Sequence, residues 1–328
     1  MILIFSTAGD PSTIEVIRWI HHLSDAKVVR VNSDVTYRVD LTFDGDDYLV
    51  RVDDDEFRLA DVSSAWLRKG DFWFRGLFPP VTTASSALGR HLEGKLRRED
   101  RTLRDHFHYV LRRRCSVLGS ANGSTPNKLV VLELARKLGL HTPPFHVSTS
   151  RRFAQDLLDG GDGHVSKAMS DGVFLFDARD SMAGYFTYTE RLSAASLEGV
   201  GERMAPSFFQ RYVEKRFELR IFFLDDQFYS VAIFSQGDDQ TKVDYRKYNV
   251  AKPNRVIPYQ LPADIEAKLL QLARELGLNT GSFDMIADDQ GRLWLLEVNP
   301  VGQFGGNSES CNLAIERRIA QRLLAHEQ

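Results

Sequence analysis

Asp284, Glu297 and Asn299 are residue types able to hold a cation, and they sit close together near the end of the chain. They belong to two apolar runs of strand length, Gly281–Ala287 and Arg292–Pro300, joined by the polar stretch Asp288-Asp289-Gln290-Gly291. That pattern predicts a β-hairpin. Strand side chains alternate faces, so Glu297 and Asn299 are expected to share a face with Leu293 and Leu295. A loop of two or four residues pairs Ala287 with Arg292 and sets Asp284 opposite Leu295, on that same face. Two carboxylates and an amide oxygen then converge. Hard oxygens of this kind suit Mg²⁺, which proteins hold through one or two carboxylates while substrate phosphates supply the rest. A hairpin whose outer face is simply polar is the other reading of these residues.

Further candidates lie upstream. Lys167 lies in the strand-like run Val165–Met169, which the turn Ser170-Asp171-Gly172 follows, and a lysine at a strand end beside a tight turn can meet a phosphate as a point charge. Alternation along Phe217–Leu224 puts Glu218, Arg220 and Phe222 on one face. The first two form either a structural ion pair or contacts to a ribose hydroxyl and an anionic group. The polar stretch from Gly237 to Asn249 interrupts an otherwise apolar region, as substrate-binding loops do. Arg68 and Lys69 follow the buried-strand run Ala65-Trp66-Leu67, as an anion site or as a solvated strand end. The basic helical stretch Ala84–Arg114 is a solvated face or a surface for an acidic partner. His106 and His108 lack a third ligand nearby, so packing is expected of them rather than metal binding.

The elements that must position these residues are legible in outline. Met1–Phe5, a helix through Ile14, Ile17, Ile20 and Leu23, and Lys27–Asn32 make a β-α-β opening, which favours a parallel sheet. Ser12 and Glu15 have capping-box spacing. The loop at Gly9 is too poor in glycine for a dinucleotide fingerprint. Short strands are expected at Tyr37–Phe43 and Tyr48–Val52. Small polar residues from Gly119 to Ser124 mark a boundary, and a helix from Asn127 to Leu138 follows. Strands are expected at Phe145–Ser148, Phe208–Val213, Phe217–Leu224 and Phe228–Phe234. Helices are expected at Pro262–Gly277 and from about Cys311 to Ala325, the latter after a glycine loop at Val301–Asn307.

With 328 residues the chain is long enough for two or three domain-sized units. A composition of 43% hydrophobic and 27% charged residues is that of a globular protein, and a net charge of -3 points to neither nucleic acid nor an anionic membrane. No apolar run approaches the ~20 residues of a membrane span. Met1–Ser6 lacks the basic start and cleavage site of a signal peptide. Cys115 and Cys311 are far apart, as free thiols in a reducing compartment would be, so a cytoplasmic protein is expected.

The order of the pieces resembles the ATP-grasp superfamily. The residues that carry the resemblance are Lys128 on a helix before a proline-containing linker, Lys167 at a strand–turn–strand, a hinge at Gln210–Val213, Glu218-Leu219-Arg220, and then Asp284 and Glu297-x-Asn299. The chain is more closely similar to the peptide-maturing branch, the graspetide (ω-ester-containing peptide) ligases and grasp-with-spasm maturases. Ser12-Thr13, Trp66–Lys69, Lys215-x-x-Glu218 through Phe223, Ala232–Gln236, Lys242–Asn249 and Asn299-Pro300-x-Gly302-Gln303-Phe304 carry that similarity over nearly the full length.

The resemblance implies an α/β (α+β) ATP-grasp fold: an N-terminal parallel α/β domain over residues 1–118, a central lid subdomain over 119–209 and a C-terminal subdomain with the metal site over 210–328. It implies ATP and Mg²⁺ as cofactors. Asp284, Glu297 and Asn299 would hold the metal, and Lys128 and Lys167 would neutralise the α- and β-phosphates. The hinge Gln210, Arg211, Tyr212 and Val213 would read adenine through the Gln210 side chain and the backbone of Arg211 and Val213. Glu218 would take the ribose hydroxyls. Arg220 would meet the transferring phosphate or acyl group, with Lys167 as its catalytic companion. The implied reaction is macrocyclisation of a ribosomally made precursor peptide, with a leader and an acidic, Thr-rich core, through an acyl phosphate. Asp or Glu side chains would be joined to Thr, Ser or Lys. Arg68, Lys69, Arg246 and Gln303 would meet the peptide, and the protein would work as a homodimer. Two other readings stand beside this one: a ligase adding amino acids to a peptide or small acid, and a catalytically silent peptide-binding protein.

Overall fold

The computed structural model describes residues 1–35, 39–72, 87–120, 126–161, 163–170, 174–177, 180–186, 188–236 and 254–326, with the side chains at 87, 88, 90, 174–177 and 180–186 left aside. Gly172 and the whole polar stretch 237–249, Arg246 included, fall outside the described residues. The chain divides into two compact units, residues 1–124 with 304–328, and residues 125–303.

The first unit opens with β1 (Ile2–Ser6), α1 (Pro11–Leu23) and β2 (Val28–Asn32). Every residue of β1 is buried, as expected for a central strand covered on both faces. Pro11 takes the first turn of α1, and the Asp10 side chain makes no cap, so Ser12 lies inside the helix rather than capping it. A three-stranded antiparallel sheet follows: β3 (Val39–Phe43), β4 (Tyr48–Val52) and β5 (Asp55–Arg58). After it come β6 (Ser64–Leu67), the long helix α2 (Ala87–Arg114) and β7 (Ser116–Leu118). The main sheet has order β2-β1-β6-β7 and is parallel throughout. The expected parallel opening is therefore present. His106 and His108 pack as expected: His106 bonds Tyr48, His108 bonds Asp71, and both ring systems sit among Phe5, Phe43 and Phe107.

The second unit begins with α3 (Lys128–Lys137), whose N-terminus is capped by the Asn127 side chain. A four-stranded sheet of order β12-β9-β13-β8 uses β8 (Phe145–Ser150), β9 (His164–Lys167), β12 (Glu190–Arg191) and β13 (Arg203–Arg211). The helix α4 (Arg151–Asp159) contributes Ala154 to a small core with Leu197 and Phe209. A separate hairpin pairs β10 (Phe174–Asp177) with β11 (Asp180–Phe186). The second sheet has order β16-β15-β14-β17-β18 and is antiparallel. Its strands are β14 (Phe217–Leu224), β15 (Gln227–Phe234), β16 (Arg255–Pro258), β17 (Thr280–Ala287) and β18 (Leu293–Asn299), with helix α5 (Ala263–Glu275) inserted after β16. One face of this sheet presents Leu219, Ile221, Phe223, Phe283, Met285 and Leu295 to Val131 and Ala135 of α3 and Leu269 and Leu272 of α5. Burying a side chain of this size contributes about 2 kcal/mol each, so the opposite face is free to carry polar chemistry.

The chain then returns to the first unit as two short helices, α6 (Gly305–Ser310) and α7 (Ile315–Leu324). The sequence pattern predicted one helix from about Cys311 after a glycine loop. Positive φ at Asn312 and Ala314 breaks it there, and the glycine stretch is itself helical. The buried α7 residues Ile315, Ile319, Ala320 and Leu323, together with the bond from Ser64 Oγ to the Leu323 carbonyl, fix this segment on the parallel sheet. The division at 119, 210 and 328 expected from sequence therefore differs from the observed units: contacts made after residue 303 belong to the first unit.

Gly302 marks a close approach in the second unit. Its φ is +54°, and a Cβ there would stand 2.6 Å from the Gly281 carbonyl carbon. Both the left-handed backbone and the missing side chain are required. Gly302→Ala should lower stability by about 2 kcal/mol or more, read as a fall in the denaturant midpoint at unchanged slope.

Candidate active site in the second unit

β14, β17 and β18 are neighbours in the sheet, so the polar residues on their exposed face meet. Arg220 lies directly across from Asp284 in the ladder, and Asp284 directly across from Glu297. The expected register does not hold. Ala287 pairs with Leu293, not Arg292, and a β-bulge at Leu296 places Glu297, not Leu295, opposite Asp284. The bulge also changes the faces. Leu293 and Leu295 point into the core, and the next core residue is Val298, three positions on rather than two. Glu297 and Asn299 thus lie on the face opposite Leu293 and Leu295, contrary to the simple alternation. Bulges re-aim side chains in this way and are common beside active sites.

The four charged residues are tied together. Arg220 Nη1 donates to Asp284 Oδ1 in a short charge-assisted bond. Lys128 Nζ lies 3.3 Å from Glu297 Oε2 and donates to the Ala168 carbonyl at 2.7 Å. Lys167 Nζ reaches the Leu296 carbonyl at 3.5 Å and sits 5.7 Å from the centroid of the Phe208 ring. Asn299 Oδ1 accepts from the Val301 and Gly302 amides at 3.0 and 3.2 Å, so this side chain holds the following turn. Glu218 is buried, and its Oε1 accepts from Lys215 Nζ at 2.8 Å and Ser235 Oγ at 2.7 Å. Burial pushes the Glu218 carboxyl above its ordinary range, against the pull of Lys215 and Ser235.

A cleft opens over these residues. Its apolar walls are Val165, Ile233, Ile286 and Leu296, and its polar lining includes Lys167, Gln210, Lys215, Glu218, Arg220, Asp284 and Glu297. At one end runs the segment Gln210–Val213. Gln210 is 2% exposed, and its Nε2 has no partner among the described residues. A buried amide donor left unpaired costs free energy unless a ligand satisfies it. The Arg211 amide donates to the Pro144 carbonyl and the Tyr212 amide to the Gly163 carbonyl. The Arg211 backbone therefore has no free N–H to offer a base. Val213 differs, since its amide has no partner among the described residues.

Asp284 and Glu297 fit a hard cation. They face each other across the ladder, with side chains 18% and 31% exposed. Among the described residues no cluster of three or more His, Cys, Asp or Glu forms a metal cage. Two carboxylates are the complement expected where phosphates supply the remaining oxygens.

Among the described residues, none of those expected to meet a peptide lines this cleft. Arg68 is 3% exposed in the first unit. Its Nε donates to Asp10 at 3.2 Å, and its guanidinium lies 4.9 Å from the centroid of the Phe304 ring. Enclosed in this way, Arg68 is a structural ion-pair partner and not the surface cation expected from sequence. Lys69 also bonds Asp10, at 2.9 Å, but keeps partial exposure. Gln303 is exposed. Arg246 lies outside the described residues. In the cleft, the sequence reading assigned no role to Lys215 or Ser235, although Lys215 stands three residues before Glu218. Ser235, the other partner of Glu218, lies just past the end of the next strand, and only strand pairing brings it near.

No family model matches the sequence, and no curated protein matches it. Solved structures do. A RiPP-associated ATP-grasp ligase from Chryseobacterium gregarium, in complex with ADP and a leader and core peptide, superposes with a TM-score of 0.77 at 24% identity, over 98% of this chain and 94% of that one. The macrocyclase MdnC from Microcystis aeruginosa MRC, bound with precursor peptide MdnA, gives 0.76 at 26% identity over 99% of both chains. The fold is ATP-grasp. The ATP-grasp ligase PsnB, complexed with a minimal precursor, Mg and ADP, gives 0.72 at 18% identity over 100% of this chain and 97% of that one. The likeness runs from end to end of the chain. No helix among the described residues is long and apolar enough to cross a membrane.

Asp10 carries a testable consequence. Burial alone would raise its carboxyl, but Arg68, Thr13 and Lys69 hold it at about 2, below the 3.8 of a free aspartate. The ionised form is favoured by folding, so its contribution is complete above about pH 4 and is lost as pH falls through about 2. Asp10→Asn leaves Arg68 buried without its counter-charge and should cost about 3 kcal/mol at pH 7. Denaturation midpoints of the two proteins should converge between about pH 4 and pH 2.

Proposed function

We propose that this protein of ATP-grasp fold is an ATP-dependent ligase and a peptide macrocyclase: it activates Asp or Glu side chains of a ribosomally made precursor as acyl phosphates and joins them to Thr, Ser or Lys side chains. The observation that carries this reading is one cleft in which apolar walls, an unpaired Gln210 donor and four facing charges on β14, β17, β18 and α3 occur together. The end-to-end likeness to MdnC, solved with its precursor peptide, supports a peptide as substrate.

A carboxylate and an alcohol do not condense in water unless an oxygen is first made a leaving group, and phosphorylation by ATP does this. In the proposed arrangement Gln210 and Val213 bind the adenine edge, and Glu218 binds the ribose. Lys128 and Lys167 approach the phosphates. Asp284 and Glu297, with Asn299 beside them, would hold Mg²⁺, and its charge would offset that of the phosphates. Arg220 lies next to Asp284 and is placed to steady the transferring phosphoryl or the acyl group. The chain needs no nucleophile of its own, because the peptide brings both reacting groups. Lys69 and Gln303 keep the exposure that a peptide contact requires, and Arg246 is retained as a third candidate.

The resting ion pairs imply an exchange. Arg220 and Lys128 neutralise the two carboxylates that the metal would take, and phosphates would draw the same two cations away. Metal and nucleotide should therefore bind together. Titration of Mn²⁺ followed by electron spin resonance should show affinity at least about tenfold higher with ADP present than without it. Equal affinity would remove this account.

The reaction itself is read by mass. The protein, ATP, Mg²⁺ and a peptide with Thr-rich and Asp/Glu-rich segments, encoded beside this gene, should give a product lighter by one water per link. A product heavier by an amino-acid residue would instead identify an amino-acid ligase. Glu297→Gln should lower peptide-dependent ATP turnover about 10²–10³-fold. Turnover unchanged by that substitution would exclude the proposed site.

A further inference from the structure

Glu218 is held in an unusual way for a residue lining an open cleft. Both bonds it receives fall on one oxygen: Lys215 Nζ at 2.8 Å and Ser235 Oγ at 2.7 Å converge on Oε1. Among the described residues Oε2 has no hydrogen-bond partner, yet Glu218 lines the cleft. The two donors come from different places. Lys215 lies on the link between β13 and β14, itself a cleft residue with a side chain 6% exposed. Ser235 is fully buried just past the end of β15, behind the carboxylate.

This geometry has two effects. It fixes the carboxylate plane, because one oxygen is pinned from two directions. It also favours the ionised form, since a cation and a hydroxyl both bond to the charge. A buried carboxyl without such partners tends to keep its proton and then offers a hydroxyl, not an acceptor, to a ligand. A sugar hydroxyl needs an acceptor. A carboxylate oxygen that is oriented and unoccupied is a strong one, because a bond to an ionised acceptor is stronger than one between neutral groups.

We propose that Lys215 and Ser235 are positioning residues that set ribose specificity: they lock Glu218 Oε1 so that Oε2 accepts the vicinal hydroxyls of a ribonucleotide. The proposal rests on the reading of the cleft as a nucleotide site and of Glu218 as its ribose contact. Neither Lys215 nor Ser235 needs to touch the sugar. Lys215 supplies the compensating charge, and Ser235 sets the carboxylate's tilt from behind. Glu218 thereby acts as a gauge of the sugar as well as a binding group, since an analogue lacking the hydroxyls leaves Oε2 desolvated with nothing to accept.

The test is equilibrium binding by calorimetry, with Mg²⁺, of ADP and of 2′,3′-dideoxy-ADP to the full chain. Wild type should prefer ADP by about tenfold or more. Ser235→Ala should weaken ADP and leave the dideoxy analogue nearly unchanged, narrowing the ratio to about threefold. Lys215→Met should bring the ratio close to one, and Lys215→Arg should restore most of it. A purely structural role would weaken both nucleotides alike and leave the ratio intact. If wild type discriminates and Ser235→Ala and Lys215→Met, both folded by circular dichroism, discriminate equally well, the positioning role is overturned. If Lys215→Met does not fold, Ser235→Ala decides alone. If wild type binds both nucleotides equally, the ribose contact of Glu218 is wrong and the inference falls with it. Absence of binding by either nucleotide would overturn the nucleotide site itself.

Discussion

The pairing of β17 with β14 on one side and β18 on the other is the constraint on which the rest of the second unit depends. It sets Arg220, Asp284 and Glu297 in a row across three strands, although they are up to 77 positions apart in sequence (297 minus 220). The bulge at Leu296 gives the row its final member. By inserting one residue, it moves the core position from the expected 297 to Val298 and turns Glu297 outward. The same bulge presents the Leu296 carbonyl to Lys167. The turn beyond β18 is held in the same compact way, by Asn299 Oδ1 and by the contact of Gly302 with Gly281.

Charge in the cleft is balanced locally, pair by pair. Asp284 has Arg220, Glu297 has Lys128, and Glu218 has Lys215. Isolated charges this far from water would be costly, and each pair removes most of that cost. The pairs also suit a ligand that carries its own charges of both signs. A nucleotide with a metal brings an anion for the cations and a cation for the carboxylates, so the balance is preserved when partners change. The apolar walls and the Gln210 amide lie outside these pairs and require no such exchange.

The first unit shows how the same residue types serve packing. Arg68 and Lys69 follow a parallel strand and read, as a pair of cations at a strand end, like an anion site. Asp10, from the loop before α1, takes both, and Phe304 from the returning C-terminal segment covers the guanidinium. Nothing local to residues 65–71 signals that an aspartate nearly sixty positions earlier is their counter-ion. His106 and His108 could be read correctly without the fold, because a metal site needs more ligands than that stretch contains.

The sequence by itself determined the kinds of element and the order of the chemistry. Alternation marked β14, β15, β17 and β18, the turn at Asp288–Gly291 joined the last two, and the lysines, hinge, Glu218-x-Arg220 and the final carboxylates followed in the order of an ATP-grasp protein. These signals are local: a strand's apolar period or a short motif is written in consecutive residues. Tertiary structure alone decided the relations between distant segments. It set the 14–17–18 strand order, the bulge that reversed the faces of β18 and the burial of Arg68. It brought Ser235 behind Glu218 and returned residues 304–328 to the first unit. A bulge costs one residue of ladder and is favoured only by what packs on either side. An ion pair between remote residues likewise depends on which surfaces meet when the chain folds, and no run of neighbouring residues records that.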